Sequence, residues 1–287
     1  LVLRKTSGDT GKAALEGFKD VPGTKILVFY PQNGVSPMQK RQMLTQEGSN
    51  VAVCAIEGNF DDAQTGVKKI FTDETVCHAL DSHGMMFSSA NSINLGRLLP
   101  QIVYYISAYC DLMNMKKISH EGMKINISVP TGNFGNILAA YYAKEMGLPV
   151  NRLICASNAN NVLTDFLRTG VYNRNRPFYT TISPSMDILI SSNLERLLSS
   201  LTESDIQVKE WMDALVSCGH YQVDSQTLSN MQSIFWAGFC DDTQTSAEIR
   251  KLYQTENYLC DTHTAVAVNV YEQYVAATGD RETPAII

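Results

Sequence analysis

The sequence predicts an α/β protein with two open parallel-type sheets covered by helices. Short apolar runs alternate with helical segments from residue 1 to about residue 170, which is typical of parallel strands joined by helices. After residue 185 the pattern is mainly helical. Two glycine-containing turns each lie between a strand-like run and a helical run. We therefore expect a smaller lobe, 1–98, and a larger lobe, 99–287, with ligands bound where strands end.

The elements of the first lobe are predicted from the spacing of apolar residues and from residue types that commonly begin or end helices. The predicted elements are, in order, a short strand before residue 6, a helix from 12, a strand 25–30, a helix 36–47, a strand 51–56, helical spacing over 61–80 and a strand 85–88. Ser36, Pro37 and Gln39 predict an N-cap, an N1 proline and a capping box. The helical spacing is expected to break near Asp73.

The second lobe begins on the long helix 95–113, which Pro100 should kink because proline cannot donate to the preceding turn. The further predictions are a strand 124–129, a helix ending near 147, a strand 153–156, a helix 162–168, a loop 173–185, helices 186–201, 204–217, 225–239, 245–253 and 261–278, and the start of a last strand at the C-terminus. The strand 124–129 is identified by its alternating β-branched residues.

Composition limits the class of protein. The 287 residues are 44% hydrophobic and 18% charged with a net charge of −6, which is typical of a soluble globular protein and argues against a nucleic-acid surface. No apolar run reaches the ~18 residues of a membrane span. The seven cysteines are scattered and never form C-x-x-C, a pattern that favours free thiols and a cytoplasmic location. The five histidines lack metal-ligand spacing, and a helix-start or packing role is favoured for His263.

The segment 129–136, Val-Pro-Thr-Gly-Asn-Phe-Gly-Asn, is the strongest candidate site. A strand enters a turn with two glycines, and a helix follows. Gly132 and Gly135 are expected to allow positive φ and close approach of another group. Backbone N–H groups at a helix N-terminus bind phosphate, and the segment contains no lysine or arginine. The alternative is a simple strand–helix connection, since short glycine motifs often occur without function.

A second turn, 6–11, combines hydroxyl residues with two glycines before a helix. Hydroxyls together with main-chain N–H groups suit a carboxylate, although Asp9 or Thr10 could instead only cap the helix. The polar segment 88–94 resembles a site loop. An ordinary polar turn explains its composition as well.

Six motifs occur in order along the chain and resemble threonine synthase of the bacterial and fungal type. They are T-S-G-D-T-G-K-A (6–13), Y-P-x-x-G-x-S-P-x-Q (30–39), S-S-A-N-S-I-N (88–94), V-P-T-G-N-F-G-N-I (129–137), P-S-M-D-I (184–188) and D-T-H-T-A-V-A (261–267). The resemblance covers essentially the whole chain. It implies the tryptophan-synthase β-subunit fold type, with pyridoxal 5'-phosphate (PLP) as cofactor and a small-molecule substrate.

The resemblance also implies roles for individual residues. The cofactor would be bound by Asp9, at the ring hydroxyl unless it caps its own helix, and by the phosphate turn Gly132, Asn133, Phe134, Gly135 and Asn136. The substrate would be bound through its carboxylate by Thr6, Ser7, Gly8 and Thr10. For the substrate phosphate we expect, from the residue types rather than from the resemblance, donors from Ser89, Asn91 and Asn94 next to Arg97. Lys40 and Arg41 are the nearest alternative cations in the sequence. The implied reaction converts O-phospho-L-homoserine and water to L-threonine and phosphate.

The Schiff-base lysine of the family is expected upstream of Leu1, so this chain contains no catalytic lysine at the corresponding position. The chain opens without Met and closes on the start of a strand; we therefore expect an excerpt of a longer protein, inactive by itself. Two alternatives stay open. One is a threonine-synthase-like phospholyase for another phosphorylated amino acid, and the other is a phosphate-binding module without catalysis. The oligomeric state is not predicted.

Overall fold

The computed structural model describes residues 1–5, 9–33, 35, 37–58, 60–89 and 94–287. The described chain packs as two compact units, Leu1–Asn94 and Leu95–Ile287. None of the helices in the described residues is long and apolar enough to cross a lipid bilayer.

The first unit is built on one parallel sheet. Its elements are β1 (Val2–Lys5), α1 (Asp9–Phe18), β2 (Ile26–Pro31), α2 (Pro37–Leu44), β3 (Val51–Ile56), α3 (Phe60–Thr72), α4 (Glu74–Asp81) and β4 (Ser88–Ser89). The strand order is β3-β2-β1-β4, and every pairing is parallel. Buried apolar side chains of β1 and β2 pack with α1 and α2 in one cluster, which includes Val2, Leu15, Ile26, Val28 and Met43.

The helical spacing over 61–80 is confirmed as two helices. Asp73 separates them, because its carboxylate accepts a hydrogen bond from the N–H of Val76 (3.1 Å) and thereby begins α4. The predicted helix 36–47 ends earlier, at Leu44. Its expected N-cap, Ser36, lies outside the described residues.

The second unit contains the larger parallel sheet. Its elements are α5 (Leu95–Asn114), β5 (Ile125–Pro130), α6 (Gly135–Glu145), β6 (Val150–Ser157), α7 (Val162–Thr169), β7 (Val171–Asn173), a 3₁₀ helix (Pro184–Met186), α8 (Leu194–Thr202), α9 (Asp205–Ser217), β8 (His220–Gln222), α10 (Ser225–Ile234), β9 (Phe235–Phe239), α11 (Asp242–Glu256), α12 (Thr262–Thr278) and β10 (Ala285–Ile286). Pro100 lies inside α5; its kink stays a prediction.

The larger sheet has the order β10-β5-β6-β9 with all pairs parallel. Successive residues of β6 point to opposite faces, since Leu153 and Cys155 join one buried cluster and Ile154 and Ala156 another. The first cluster includes the apolar side of α6 and α7, and the second includes that of α12. A strand segment buried on both faces is apolar at every position, which explains the apolar run from Leu153 to Ala156 within β6. The predicted fold class is confirmed.

Two predicted helices are wrong in part. The helix predicted over 225–239 stops at Ile234, and the residues Phe-Trp-Ala-Gly-Phe form β9 beside β6. Aromatic residues favour strands, and β9 completes the edge of the sheet next to β6. The helix predicted over 186–201 begins only at Leu194. A small antiparallel pair, β7 with β8, was not predicted; the rings of Tyr172 and Tyr221 stack across it at 5.3 Å.

Candidate functional site

The turn between β5 and α6 leaves the sheet immediately after Thr131. The N–H of Thr131 donates to Ala156 O on β6 (2.8 Å), so this residue still continues the parallel ladder. Four residues after Thr131, α6 begins at Gly135. Phe134 makes the change of direction with a left-handed backbone, φ 63°, and its buried ring lies 5.8 Å from the ring of Phe235.

The expectation of positive φ at the two glycines is therefore wrong. Neither Gly132 nor Gly135 has positive φ, and the left-handed residue is Phe134. Non-glycine residues rarely adopt this conformation, and here the burial of the Phe134 ring holds it in place. Close approach, the second role expected of the glycines, is what the structure shows at Gly132. A Cβ there would lie 3.1 Å from both Met186 Cα and Ser185 O.

The carbonyl groups of the turn are bonded to the surrounding protein. The amide of Asn136 donates to Pro130 O (2.8 Å), and Ser191 Oγ donates to Gly132 O. Two groups of Asn193, its N–H (3.2 Å) and its side-chain amide (3.1 Å), donate to Asn133 O. On the other side, the hydroxyl of Tyr105 on α5 donates to Asn136 O (2.8 Å).

The N–H groups of the turn differ from the carbonyl groups in this respect. Within the described part of the chain, no atom accepts a hydrogen bond from the backbone N–H of Gly132, Asn133, Phe134, Gly135 or Asn136. Phe134 offers no side-chain cap to α6. With the carbonyl oxygens bonded elsewhere and the donors left without acceptors, the turn presents five adjacent N–H groups at the positive end of a helix. This arrangement binds phosphate.

The segment Pro184–Ile188 lies beside Gly132 and is held by a polar network. The carboxylate of Asp187 accepts hydrogen bonds from the side-chain amides of Asn158 (2.7 Å) and Asn160 (3.0 Å). Thr181 donates to it through both its hydroxyl (2.7 Å) and its N–H (2.9 Å). Burial raises the pKa of Asp187, while the hydrogen bonds from Thr181 and Asn158 oppose this shift.

His263 contacts the same segment from the first turn of α12. The N–H of Ser185 donates to His263 Nε2 (3.3 Å), and Nδ1 lies 3.1 Å from Asp261 Oδ1. A ring that accepts at Nε2 carries its proton on Nδ1 when neutral, which matches the carboxylate of Asp261. That carboxylate also accepts from the N–H groups of His263 and Thr264 and caps α12. The favoured helix-start role of His263 is consistent with this placement.

The other sequence-predicted residues are only partly described. Thr6, Ser7, Gly8 and Asn91 lie outside the described residues, as do the side chains of Asp9, Thr10 and Ser89. Their predicted roles stay predictions. Asp9 and Thr10 form the first two residues of α1, and Ser89 is the last residue of β4.

Arg97 is a half-buried cation in the first turn of α5. No described residue forms an ion pair with its guanidinium or accepts a hydrogen bond from it. Burial lowers the pKa of Arg97, but a guanidinium stays protonated. Tyr105, which bonds the phosphate turn, follows eight residues later on the same helix, about 12 Å along its axis. Asn94 lies half-buried just before the helix.

Several residues around the turn were not assigned from sequence: Tyr105, Asn158, Asp187, Ser191, Ser192 and Asn193. The helix predicted over 186–201 includes residues 191–193, although Ser-Ser-Asn before Leu-Glu-Arg-Leu-Leu is a helix-start signal. Asn193 is indeed the N-cap position of α8. Nothing in the local sequence shows that Asn193 contacts Asn133, sixty residues earlier, because that contact depends on the tertiary structure.

The residues present fit the phosphate of a cofactor better than a metal ion. The five donors of the turn suit an anion, and Gly132 leaves no room for a side chain. Among the described residues, no group of three or more His, Cys, Asp or Glu is arranged to hold a metal.

Comparison with known proteins gives the family. No family model matches the chain. Threonine synthase-like 1 from Homo sapiens is 44% identical over 295 aligned positions, which cover 100% of this chain and 39% of that protein. Threonine synthase from Saccharomyces cerevisiae is 37% identical, covering 98% of this chain and 55% of the yeast protein. The chain thus spans about half or less of the length of these relatives.

A solved structure agrees with these sequences. The PLP-bound threonine synthase from Brucella melitensis superimposes with a TM-score of 0.86 at 40% identity, over 99% of this chain and 58% of that one. The two parallel sheets and the glycine turn thus define the fold of the PLP enzymes related to the tryptophan-synthase β-subunit. Within that class, the chain belongs to the threonine synthase family, which includes the threonine-synthase-like proteins.

Proposed function

We propose that the protein containing this chain binds PLP, with its phosphate on the turn Gly132–Asn136. The observation that carries the proposal is the row of five N–H groups that have no acceptor among the described residues. Their carbonyl neighbours are bonded to side chains of α5 and of the segment before α8. The turn is therefore preorganised as a donor surface, which lowers the entropy cost of binding an anion.

We further propose that the activity is conversion of O-phospho-L-homoserine and water to L-threonine and phosphate. Bound PLP would supply an electron sink for removal of a proton from the substrate carbon that bears the amine. The chain's own residues would bind and orient the substrate. Thr6, Ser7, Gly8 and Thr10 would hold the carboxylate through hydroxyl and N–H donors, and the segment from Ser89 to Asn94 would contribute donors to the substrate phosphate.

Arg97 would bind the departing phosphate. Its guanidinium is half-buried and has no carboxylate partner among the described residues. A cation removed from water without a counter-ion is costly, and a substrate phosphate would remove this cost. Since negative charge grows on the phosphate oxygen as its bond to carbon breaks, a fixed cation there stabilises the transition state more than the ground state.

A specific observation favours a second candidate. The chain is 44% identical to human threonine synthase-like 1 and 37% identical to yeast threonine synthase. A protein with the same PLP site but another phosphorylated amino acid as substrate would agree with the higher identity to the threonine-synthase-like protein. In this case the phosphate turn would be unchanged, and the substrate would be selected by the residues near Asn94 and Arg97.

The test uses the purified full-length protein with added PLP and several substrates. Phosphate release and threonine formation are measured with O-phospho-L-homoserine, O-phospho-L-serine and O-phospho-L-threonine. Equal amounts of phosphate and threonine from the first substrate support the main proposal. Phosphate release only from another substrate supports the second candidate. A protein that binds PLP and releases phosphate from none of them overturns both activities, and one that binds no PLP overturns the cofactor site.

Arg97 is tested by Arg97→Gln in the same protein. Loss of one charged donor to the leaving phosphate should lower kcat/KM by ~10²-fold, the effect of removing one oxyanion donor. Arg250→Gln is the matched control, since Arg250 is exposed on α11; we expect a change below twofold. An effect of Arg97→Gln as small as that of the control would remove Arg97 from the substrate site.

A further inference from the structure

The segment 181–188 packs against the first glycine of the phosphate turn, on the side where a Cβ would lie. Ser185 O and Met186 Cα would each lie 3.1 Å from a Cβ on Gly132. Both are backbone atoms, so they cannot move without moving the segment. A shift of the segment toward Gly132 would close the space in front of the turn, and a shift away would release Gly132. The geometry of the phosphate turn therefore depends on where this segment lies.

Asp187 is the residue at which the hydrogen bonds of this segment meet. The residue is 8% exposed, and its carboxylate accepts four hydrogen bonds, of 2.7 to 3.0 Å. Two come from Asn158 and Asn160, directly after β6, and two come from Thr181 at the start of the segment. The carboxylate thus joins the carboxyl end of β6 to the segment beside Gly132.

No cation accompanies this buried carboxylate within the described residues. The nearby charge that acts on Asp187 is the carboxylate of Asp242, which disfavours the ionised form of Asp187. Burying a carboxylate without a cation is costly, and an apolar residue of similar volume is often at least as favourable for stability. An apolar residue could not accept hydrogen bonds from the side-chain amides of Asn158 and Asn160 and from Thr181 at the same time. Geometry rather than stability explains an aspartate at this position.

We propose that Asp187 is a positioning residue of the cofactor site: by bonding Asn158, Asn160 and Thr181, its carboxylate holds Ser185 and Met186 against Gly132 and sets the geometry of the phosphate-binding N–H groups. The inference rests on the proposed function, because it concerns the same turn. Asp187 itself touches neither substrate nor cofactor in this account. Its effect reaches the ligand through the backbone at Gly132.

The test is Asp187→Asn in the full-length protein, measured by the affinity for PLP and for inorganic phosphate. Asparagine has nearly the same shape, but its NH₂ group must face donors where a carboxylate oxygen accepted. The segment should shift, and the PLP dissociation constant should rise at least tenfold. The ³¹P resonance of the bound phosphate should move as well, because its N–H donors change position. Both measurements are made well below the melting temperature of the variant.

Asp224→Asn is the matched control. Asp224 also accepts hydrogen bonds from a buried threonine, the N–H (2.8 Å) and hydroxyl (2.7 Å) of Thr227, but it caps α10 and shares no hydrogen bond with the segment 181–188. We expect a lower melting temperature for this variant and a PLP affinity within twofold of the wild type. If Asp187→Asn keeps wild-type affinity, or if Asp224→Asn loses as much affinity, Asp187 has only a general structural role and the inference is overturned.

Thr181→Val provides a second variant in case Asp187→Asn does not fold. It removes one hydroxyl donor and leaves the carboxylate in place, and we expect a roughly threefold weaker PLP affinity; unchanged affinity contradicts the inference. The wild-type protein is measured first. If it binds neither PLP nor phosphate, the proposed function itself fails. If it binds both and these variants bind equally well, only the role of Asp187 is refuted.

Discussion

Two helix N-termini of the second unit, those of α6 and α11, are built in opposite ways. At α11 the Asp241 carboxylate accepts from the N–H of Gln244 (2.8 Å), and the Gln244 side chain accepts from the N–H of Asp241 (3.0 Å). This capping box satisfies the helix with its own side chains. At α6 the residue before the helix is Phe134, which offers no side-chain cap.

The difference shows which helix can accept a ligand. A cap contributes about 1 kcal/mol to stability, and α6 lacks this contribution. The N–H groups before and at the start of α6, which have no acceptor among the described residues, are the donors that an anion requires. A carboxylate such as Asp241 would occupy them and repel phosphate. The side chains near α6 bond the carbonyl oxygens of the turn instead. The N-terminus of α11 is capped by its own side chains, which stabilises the protein, whereas the N-terminus of α6 has no side-chain cap and can bind an anion.

The largest expected effect comes from filling the space at Gly132. Gly132→Val should weaken PLP binding roughly 100-fold, because its Cβ meets the backbone of Ser185 and Met186 at 3.1 Å and overpacking costs about 1–3 kcal/mol. Titration of the full-length apoprotein with PLP measures it. Gly17→Val is the control, since a Cβ at the exposed Gly17 meets nothing within 4 Å. Similar affinities of the two variants would show that Gly132 is not needed for close approach.

The second-largest effect is expected from a substitution that gives the N-terminus of α6 a carboxylate, as α11 has. Asn133→Asp keeps the shape and the oxygen that accepts from Ser192 Oγ, and it adds a negative charge beside the five N–H groups. We expect PLP affinity to fall about tenfold through charge repulsion. The free energy of unfolding should rise slightly, by about 0.3–1 kcal/mol, because a carboxylate is favourable at a helix N-terminus. Stability and affinity that fall together would contradict this account.

Removing the cap of α11 should lower the stability of the protein and leave its affinity for PLP nearly unchanged. Asp241→Ala eliminates the capping box, and we expect a loss of about 1 kcal/mol, which corresponds to a melting temperature about 2–4 °C lower. The affinity for PLP should stay within twofold of the wild type. Calorimetry and PLP titration of the same preparation test both statements; a strong loss of PLP affinity would mean that the two helix ends are not independent.

The smallest expected effect concerns stability: Asp224 and Asp187 should make the free energy of unfolding change with pH in opposite directions. Hydrogen bonds from Thr227 lower the pKa of Asp224 below its usual value, so its stabilisation is present above about pH 4 and is lost as the pH falls through the lowered pKa. Burial, together with Asp242, raises the pKa of Asp187. Its folded form binds a proton more readily, so its contribution favours folding at low pH and declines as the pH rises from about 4 through the raised pKa.

Chemical denaturation of the full-length protein at several pH values between 3 and 6 measures this difference. Relative to Asp224→Asn, the wild type should gain stability as the pH rises toward 4. Relative to Asp187→Asn, it should lose stability as the pH rises above 4. The same sign for both aspartates would show that burial does not dominate at Asp187.

The sequence by itself determined the features that depend on local spacing. The alternating β-branched residues of β5 and the apolar run of β6 predict strands, the Gly-Asn-Phe-Gly-Asn turn predicts a phosphate site, and Asp73 predicts a break between two helices. The structure agrees at β5, β6 and the break. In each case the deciding interactions lie within a few residues along the chain, so the sequence pattern records them.

Only the tertiary structure decided the features that depend on distant partners. Phe235–Phe239 continues a helical pattern, yet it forms a strand because β6 offers a parallel edge. Phe134 takes the positive φ that glycine would be expected to take, since its ring has a buried site against Phe235. Asp187 resembles any polar residue of a loop until Asn158 and Thr181 surround it. Contacts between residues far apart in sequence select among local conformations of similar energy, and no local pattern contains that information.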